Sequence, residues 1–403
     1  ESIETVNIST NSFDAELGMA GGAAITVSTK SGTNDLHGVG FWFHNNQHLN
    51  TAPYFRSATY KLPLTIFNQG GGTIGGPIRK DKLFYFFSYE RTSERTGYDG
   101  NYSVAPQAMR DGDFSQWTAL GVVYDPNSAT QANNAARTPF ANNIVPKSRF
   151  NPIFQDIYKG VPLPNQQSPT DLLYNLGGNY YAAGVLKLNR NQYDIKINYT
   201  ASQKLAIWGK YSRMDAPVAG KYVFGDLGGP ALGTDGNGDT RTQLPVLGYN
   251  YTFSPTFFMD GVFGYTRMDQ TVGIPNVDKN IGLDVWKIPG TNGGTQFAKD
   301  TRYGGAPNIQ GFGFTNVGIA ATWAPLWRVE QAVTYQTNFS KLRGAHEFRW
   351  GFEARRLMMD HWQPETSNPR GVINFGGGQT IHPTLSTGQR GSPTSFASAL
   401  LGL

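Results

Sequence analysis

Three places in the 403-residue chain combine residue types that can do chemistry. The first is "FNQGGGTIGGPIRKDKLFYFF", residues 67–87, with five glycines from Gly70 to Gly76 and basic residues after them. A phosphate cradle needs such glycines so that backbone N–H groups can approach the anion, but it also needs a Lys and a Ser or Thr opening a helix. Here Pro77 follows Gly76, and the next run, "KLFYFFSYE", is aromatic and β-prone. The glycines are therefore assigned to a strand or turn.

The second place is "GTDGNGDTRTQ", where Asp235, Asn237 and Asp239 alternate like the oxygen ligands of a calcium loop. An EF-hand requires Gly at its sixth position and Glu at its twelfth; Thr240 and Val246 stand there. A solvated surface turn is the expectation, with calcium as the alternative. The third place is the pair His44 and His48 among six histidines, the others being His37, His346, His361 and His382. On a helix this spacing would share one face for a metal, but "FWFHNNQHLN" reads as a strand end running into a loop, with no third ligand in view. No Gly-x-Ser-x-Gly elbow and no His-Glu-x-x-His motif occurs. No catalytic, cofactor-binding or metal-ligating residue is nominated, no ligand-binding residue is named, and the chain is read as a non-enzyme.

The elements that must hold these residues follow from composition and periodicity. With 49 Gly, 20 Tyr, 25 Phe and 8 Trp but a mean hydropathy of −0.40, the chain has the chemistry of a β-protein. No window approaches eighteen apolar residues, which excludes a transmembrane helix; a membrane-spanning β-strand needs only about ten alternating residues. There is no cysteine, so disulfides and thiolate metal sites are excluded. The net charge of +5 is modest and scattered, which gives no footprint for nucleic acid. The chain opens "ESIETVNIST", without Met or a signal peptide, as expected after processing or truncation.

Alternation is clearest in "WRVEQAVTYQTNFSKLRGAHEFRWGFEARRLMM", residues 327–359, which predicts one long hairpin turning at "RGAH". Val329, Val333, Tyr335 and Phe339 share a face, as do Phe348, Trp350, Phe352 and Ala354; Glu330, Glu347, Arg349, Glu353 and Arg355 take the other. Those charges are expected to pair across strands or to touch a plug. Three more hairpins are predicted, turning at "RKDK", "ASQK" and "SPT". Between hairpins lie long polar connections at about 92–190, 213–243, 268–325 and 360–370. Short and long links alternate, so all short turns fall at one end of a meander and all long loops at the other, the plan of an outer-membrane barrel. Trp208, Tyr211, Trp327 and Trp350 are candidates for interfacial girdles.

Certain segments also match a family pattern. "FDAELGMAGGAAITVSTKSGTNDLHGVGFWF" resembles the end of the plug and the first barrel strand of TonB-dependent outer-membrane receptors, most closely their Oar-like branch. "FNQGGGTIGGPIRKDKLFYFFSYERT" is similar to the second and third strands of those receptors, and "APQAMRDGDFS", "YDPNS", "RTPFANNIVPKSRFNP" and "PLPN" to their first long loop. The resemblance implies an all-β fold: an antiparallel transmembrane β-barrel, here part of one with 22 strands. Residues 1–33 would be the C-terminal part of a plug and 34–403 the N-terminal part of the barrel, some ten strands, with an extracellular loop at about 92–190 placed for ligand contact or as a lid. By the same reading the chain is cut at both ends.

The implied function is energy-coupled uptake of a scarce or large extracellular ligand, such as a siderophore, oligosaccharide or peptide. The implied partners are outer-membrane lipid and the TonB complex, the latter engaged through a segment absent from this chain. A secreted or surface β-rich adhesin or glycan-binding protein is the alternative.

Overall fold

The computed structural model describes residues 2–10, 22–55, 61–129, 137–166, 176–297, 300–364, 368–383 and 392–403. The predicted segment "NSFDAELGMAG", residues 11–21, lies outside the described residues, as do 130–136 and 167–175 of the first long loop and 365–367 of the last connection.

Two short strands, β1 (Ile3–Ser9) and β2 (Ala24–Thr29), pair antiparallel as a separate ribbon. Then comes a sheet whose nine long strands pair in chain order: β3 (His37–Asn46), β4 (Thr65–Arg79), β5 (Leu83–Tyr102), β6 (Tyr180–Thr200), β7 (Leu205–Asp215), β8 (Asn237–Ser254), β9 (Phe257–Gly273), β10 (Leu326–Arg343) and β11 (His346–Trp362). A two-residue strand, Val218–Ala219, pairs with β6 and β8 as the tenth member. Every long pairing is antiparallel. The four predicted hairpins are all present, their tight turns at 80–82, 201–204, 255–256 and 344–345.

Strands of 10 to 21 residues are long enough to cross a bilayer when tilted. Several outrun their apolar alternation, and the connections shorten accordingly. The expected loop 92–190 is 103–179, 213–243 is 216–236, 268–325 is 274–325, and 360–370 begins at 363. Arg91 to Tyr102 remains in register with Tyr180 to Asn191, although the residues there are polar. That polarity disguised strand as loop. A further long connection, 47–64, joins β3 to β4 at the same end.

The two faces differ as the alternation predicts. On one face lie Tyr85 and Phe87, then Ile195, Ile197, Leu247, Phe263, Tyr335, Phe348 and Phe352, all on matching register rows. The other face carries Ser88, Thr92 and Asp194, each no more than 5% exposed. Trp208 corrects an expectation: it stands on this polar face, 5.5 Å from Lys196 Nζ, rather than in a girdle. Tyr211, Trp327 and Trp350 stand on the apolar face.

The main apolar core sits beyond the sheet, among the long connections. Val104, Met109, Phe114, Val123, Val145, Phe312, Val317 and Phe396 are fully buried there. The two longer helices of this cap are α1 (Pro152–Lys159) and α2 (Ser392–Leu401), beside the single turn Gln107–Arg110 that carries Met109. The terminal run "TSFASALLGL" forms most of α2.

Candidate functional site

Two regions follow from this architecture: the cap over the long-connection end, and the polar face on which the N-terminal ribbon is seated.

Within the cap, α1 begins where the sequence provides a helix start signal. Asn151 caps it, its Oδ1 accepting from Ile153 N–H at 2.9 Å and Phe154 N–H at 3.2 Å, and Pro152 occupies the first turn, where a missing N–H is harmless. Phe154, Ile157 and Tyr158 then fall on one buried face. Tyr158 Oη accepts from Ala105 N–H at 2.9 Å, and burial pushes its phenol up to about 12. Arg110 stacks 4.7 Å from that ring and donates to the carbonyls of Ala105, Val161 and Pro162 at 2.6 to 2.8 Å. Burial holds its guanidinium below the ordinary value. Arg370 is fully buried, donates to the carbonyls of Ala324 at 2.8 Å and Ala321 at 3.0 Å, and is pushed down by burial to about 10.

Asn143 and Asn179 do similar work, each bridging backbone groups of neighbouring loop segments. Polar side chains inside the cap thus serve backbone that irregular structure leaves unpaired. Salt bridges tie its surface: Arg149 to Asp125 at 3.0 Å, Lys147 to Asp111 at 2.7 Å. The hydrogen bonds from Arg149 hold the Asp125 carboxyl below its ordinary range, and those from Lys147 and Gln107 do so for Asp111.

On the polar face, Asp194 accepts from Ser212 Oγ at 2.6 Å with Lys210 at 3.5 Å, and Glu90 accepts from Gln69 at 2.8 Å and Arg190 at 3.4 Å. Lys196 Nζ donates to the carbonyl of Thr29, the last residue of β2, at 3.0 Å. The chain then passes Gly32, where a Cβ would collide with the Tyr85 carbonyl and lie 2.8 Å from that of Gly76. Gly32 Cα in turn is 3.4 Å from where a Cβ on Gly75 would stand. The glycine run admits this segment, and anion chemistry plays no part in it.

The other candidates named from residue type and spacing separate here. His44 Nδ1 meets Asn68 Oδ1 at 2.8 Å and its Nε2 meets Asn46 Nδ2 at 2.9 Å, so both ring nitrogens are engaged by amides. His48 lies in the following 3-10 turn. Asn237 Oδ1 accepts from Gly220 N–H at 3.1 Å, the Asp235 carbonyl accepts from Tyr222 Oη, and Asp235, Asn237 and Asp239 lie at the surface with no shared ligand geometry. Among the described residues no group of three His, Cys, Asp or Glu is placed to hold a metal. Charges of the last hairpin form ion pairs along their own strands, Arg349 with Glu347 at 2.7 Å, Arg355 with Glu353 at 2.9 Å and Arg328 with Glu330 at 3.5 Å, and Arg328 Nε also donates across the hairpin to His361 Nδ1 at 3.2 Å. The i, i+2 neighbours on one strand face reach each other first.

A sheet with one apolar and one polar face, short turns at one end and long loops at the other, agrees with a family comparison: the model described as "Outer membrane beta barrel domain" matches residues 28–403. The chain belongs to that family. It is an all-β, antiparallel membrane barrel domain of the outer membrane. Part of it is also similar to the "TonB-dependent transporter Oar" of Myxococcus xanthus, 34% identical over 95 residues. That alignment takes in 22% of this chain and 9% of the relative. Among solved structures the "CymD monoaromatic hydrocarbon channel" aligns over 88% of this chain and 73% of its own, at 10% identity and a TM-score of 0.23, too low to carry an argument.

Proposed function

We propose that the chain is part of a TonB-dependent outer-membrane receptor of the Oar-like kind, which imports a scarce or large extracellular ligand by energy-coupled movement of a plug. One observation carries this reading. The segment before the first barrel strand is tied to the polar inner wall through Thr29 and Gly32, where a plug must meet its barrel. Residues 1–33 are then the plug's end and 34–403 part of a 22-strand barrel. The ribbon's paired Ile8 and Ile25 are 60% and 64% exposed, an apolar surface suited to packing within a larger plug. The partial similarity to a TonB-dependent transporter supports the same reading.

In this reading the chain is a transporter and not an enzyme, the TonB complex supplies the energy for uptake, and the cap is the lid and first contact for a siderophore, oligosaccharide or peptide. Uptake of labelled ferric siderophores, oligosaccharides and peptides by cells with and without TonB tests it. Accumulation that requires both the receptor and TonB is expected; TonB-independent leakage would replace the receptor by a passive pore.

A second reading, a surface adhesin or glycan-binding protein, draws on Tyr54 and Phe55. These rings meet edge to face at 5.1 Å and are 90% and 92% exposed on the 47–64 connection. Binding of glycans without uptake would favour it.

A further inference from the structure

The outer face of the sheet changes character sharply along the strands. From the short-turn end upward, outward residues are uncharged on β5 to β9 and on β11: Leu83 to Tyr89 on β5, Tyr199 back to Tyr193 on β6, and Phe348 to Ala354 on β11 bound the series. On β10 the band starts at Phe339, one step above Lys341, whose Nζ lies 5.5 Å from the Phe257 ring at the short-turn end. The first outward residue above this band is Arg91 on β5, Arg213 on β7, Arg267 on β9 and Arg356 on β11. Arg241 follows one step higher on β8, between Asp215 and Asp269 in register.

Two aspartates fix these side chains. Asp215 accepts from Arg213 Nε at 2.7 Å and from Arg241 Nε at 2.8 Å; Asp269 pairs with Arg267 at 2.7 Å. The three arginine side chains remain 38%, 47% and 38% exposed, so each guanidinium keeps donors facing outward. Arg91 and Arg356 are exposed and make no hydrogen bond or ion pair among the described residues. With Asp360 on the same register row as Asp215 and Asp269, five arginines face three carboxylates. Arg95 and Lys187, paired a further step up on β5 and β6, add to the excess. Beneath the collar stand Tyr89, Tyr193, Tyr211 and Tyr265, the amphipathic residues of a membrane interface.

We propose that this arginine collar is a binding surface for the phosphates of a lipid in the outer leaflet. The apolar band fixes where the acyl chains end, and the collar begins at the next outward residue, at headgroup depth on the long-loop side. Arginine's planar fork matches phosphate geometry, and Asp215 and Asp269 hold three forks in place so that little side-chain freedom is lost on binding. A soluble phosphate would meet the same guanidinium groups but lacks acyl chains to lie against the Tyr and Ile band.

The test uses the protein in detergent micelles, offered lipid A carrying two phosphates or the same lipid after phosphatase treatment, with bound lipid read by native mass spectrometry. Retention of the phosphorylated lipid, loss of the dephosphorylated one, and no displacement by excess inorganic phosphate are expected. Each arginine changed to Gln should weaken retention about fivefold, the effect of one basic residue near an anionic lipid surface. The triple change Arg213→Gln, Arg241→Gln, Arg267→Gln should therefore weaken it about a hundredfold. Arg91→Gln disturbs no ion pair and gives its own reading if the triple variant fails to assemble. Equal retention of both lipids, displacement by inorganic phosphate, or unchanged retention in Arg91→Gln would overturn the proposal.

Discussion

Asn34 and Asp81 grip each other at the short-turn end of the sheet: Asn34 Nδ2 donates to Asp81 Oδ1 at 2.6 Å, and Asp81 N–H donates to Asn34 Oδ1 at 2.8 Å. The pair ties the segment entering the first barrel strand to the turn between β4 and β5. Asp81 has φ +63°, a left-handed conformation that glycine adopts without strain. Asn34→Ala loses both hydrogen bonds, and an exposed pair of this kind contributes about 1 to 2 kcal/mol. Asp81→Gly loses one acceptor, keeps the N–H donation and relieves the backbone, so it should cost clearly less. Urea unfolding midpoints of the two variants check the order; a larger loss in Asp81→Gly would show that the carboxylate has a further role.

The glycines of β3 to β5 are predicted to divide into two kinds. A Cβ on Gly71 would run into the Tyr89 carbonyl, and one on Gly72 would stand 2.8 Å from the Val39 carbonyl. Both obstacles are backbone in a paired ladder, which yields only if the ladder shifts. Gly71→Ala and Gly72→Val should reduce the assembled fraction, seen as loss of heat-modifiable migration on gels. Gly40→Ala meets nothing within 4 Å and should assemble normally. Equal behaviour of Gly71→Ala and Gly40→Ala would remove close packing as the reason for the run.

Acid should loosen the cap before the sheet. Asp125 accepts from both Nη groups of Arg149 at 3.0 Å, which holds its carboxyl below the ordinary 3.8. A depressed carboxylate stabilises the folded state above its unfolded value and loses that contribution as pH falls through the folded value, so the window lies below about pH 4. Asp111 beside Lys147 acts in the same direction, more weakly because it is more exposed. Trp117, buried in this core, is the reporter. Its fluorescence should change below about pH 4 in the native protein. The acid step should shrink in Asp125→Asn, which has already lost the carboxylate's contribution. An identical acid profile in the variant would exclude this pair as the cause.

The sheet was legible because bilayer and lumen impose opposite demands on alternate residues. Phe263 and Tyr335 had to share a face, and Asp194 and Lys196 had to take the other. The signal failed where both faces meet water or protein: Arg91 to Tyr102 continues β5 with no apolar rhythm. Trp208 was misplaced because an aromatic ring can cover either lipid or a lysine stem. The cap was illegible for another reason. Phe114, Phe312 and Phe396 come from connections far apart in the chain and share neither spacing nor motif; only their meeting in space makes a core. Asn151-Pro152 is a local signal there, a helix start inside a loop too long to be structureless.

Phe396 tests whether that cap is a cooperative unit. Its ring is fully buried in α2 and packs edge to face against Phe154 at 5.7 Å, Tyr158 at 5.0 Å and Phe314 at 5.4 Å. Those partners come from α1 and from the 274–325 connection, so one side chain joins three segments. Phe396→Ala should cost the cap about 3 to 5 kcal/mol, and Phe396→Leu much less. The sheet holds through its own ladder hydrogen bonds and should keep its heat-modifiable migration. Hydrogen exchange at Phe154 to Tyr158 and at Val123 should rise together in Phe396→Ala, because a unit that opens cooperatively exposes all its segments at once. A rise confined to α2 would mean that the loops fold independently, and loss of the sheet with the cap would mean that the two are one unit.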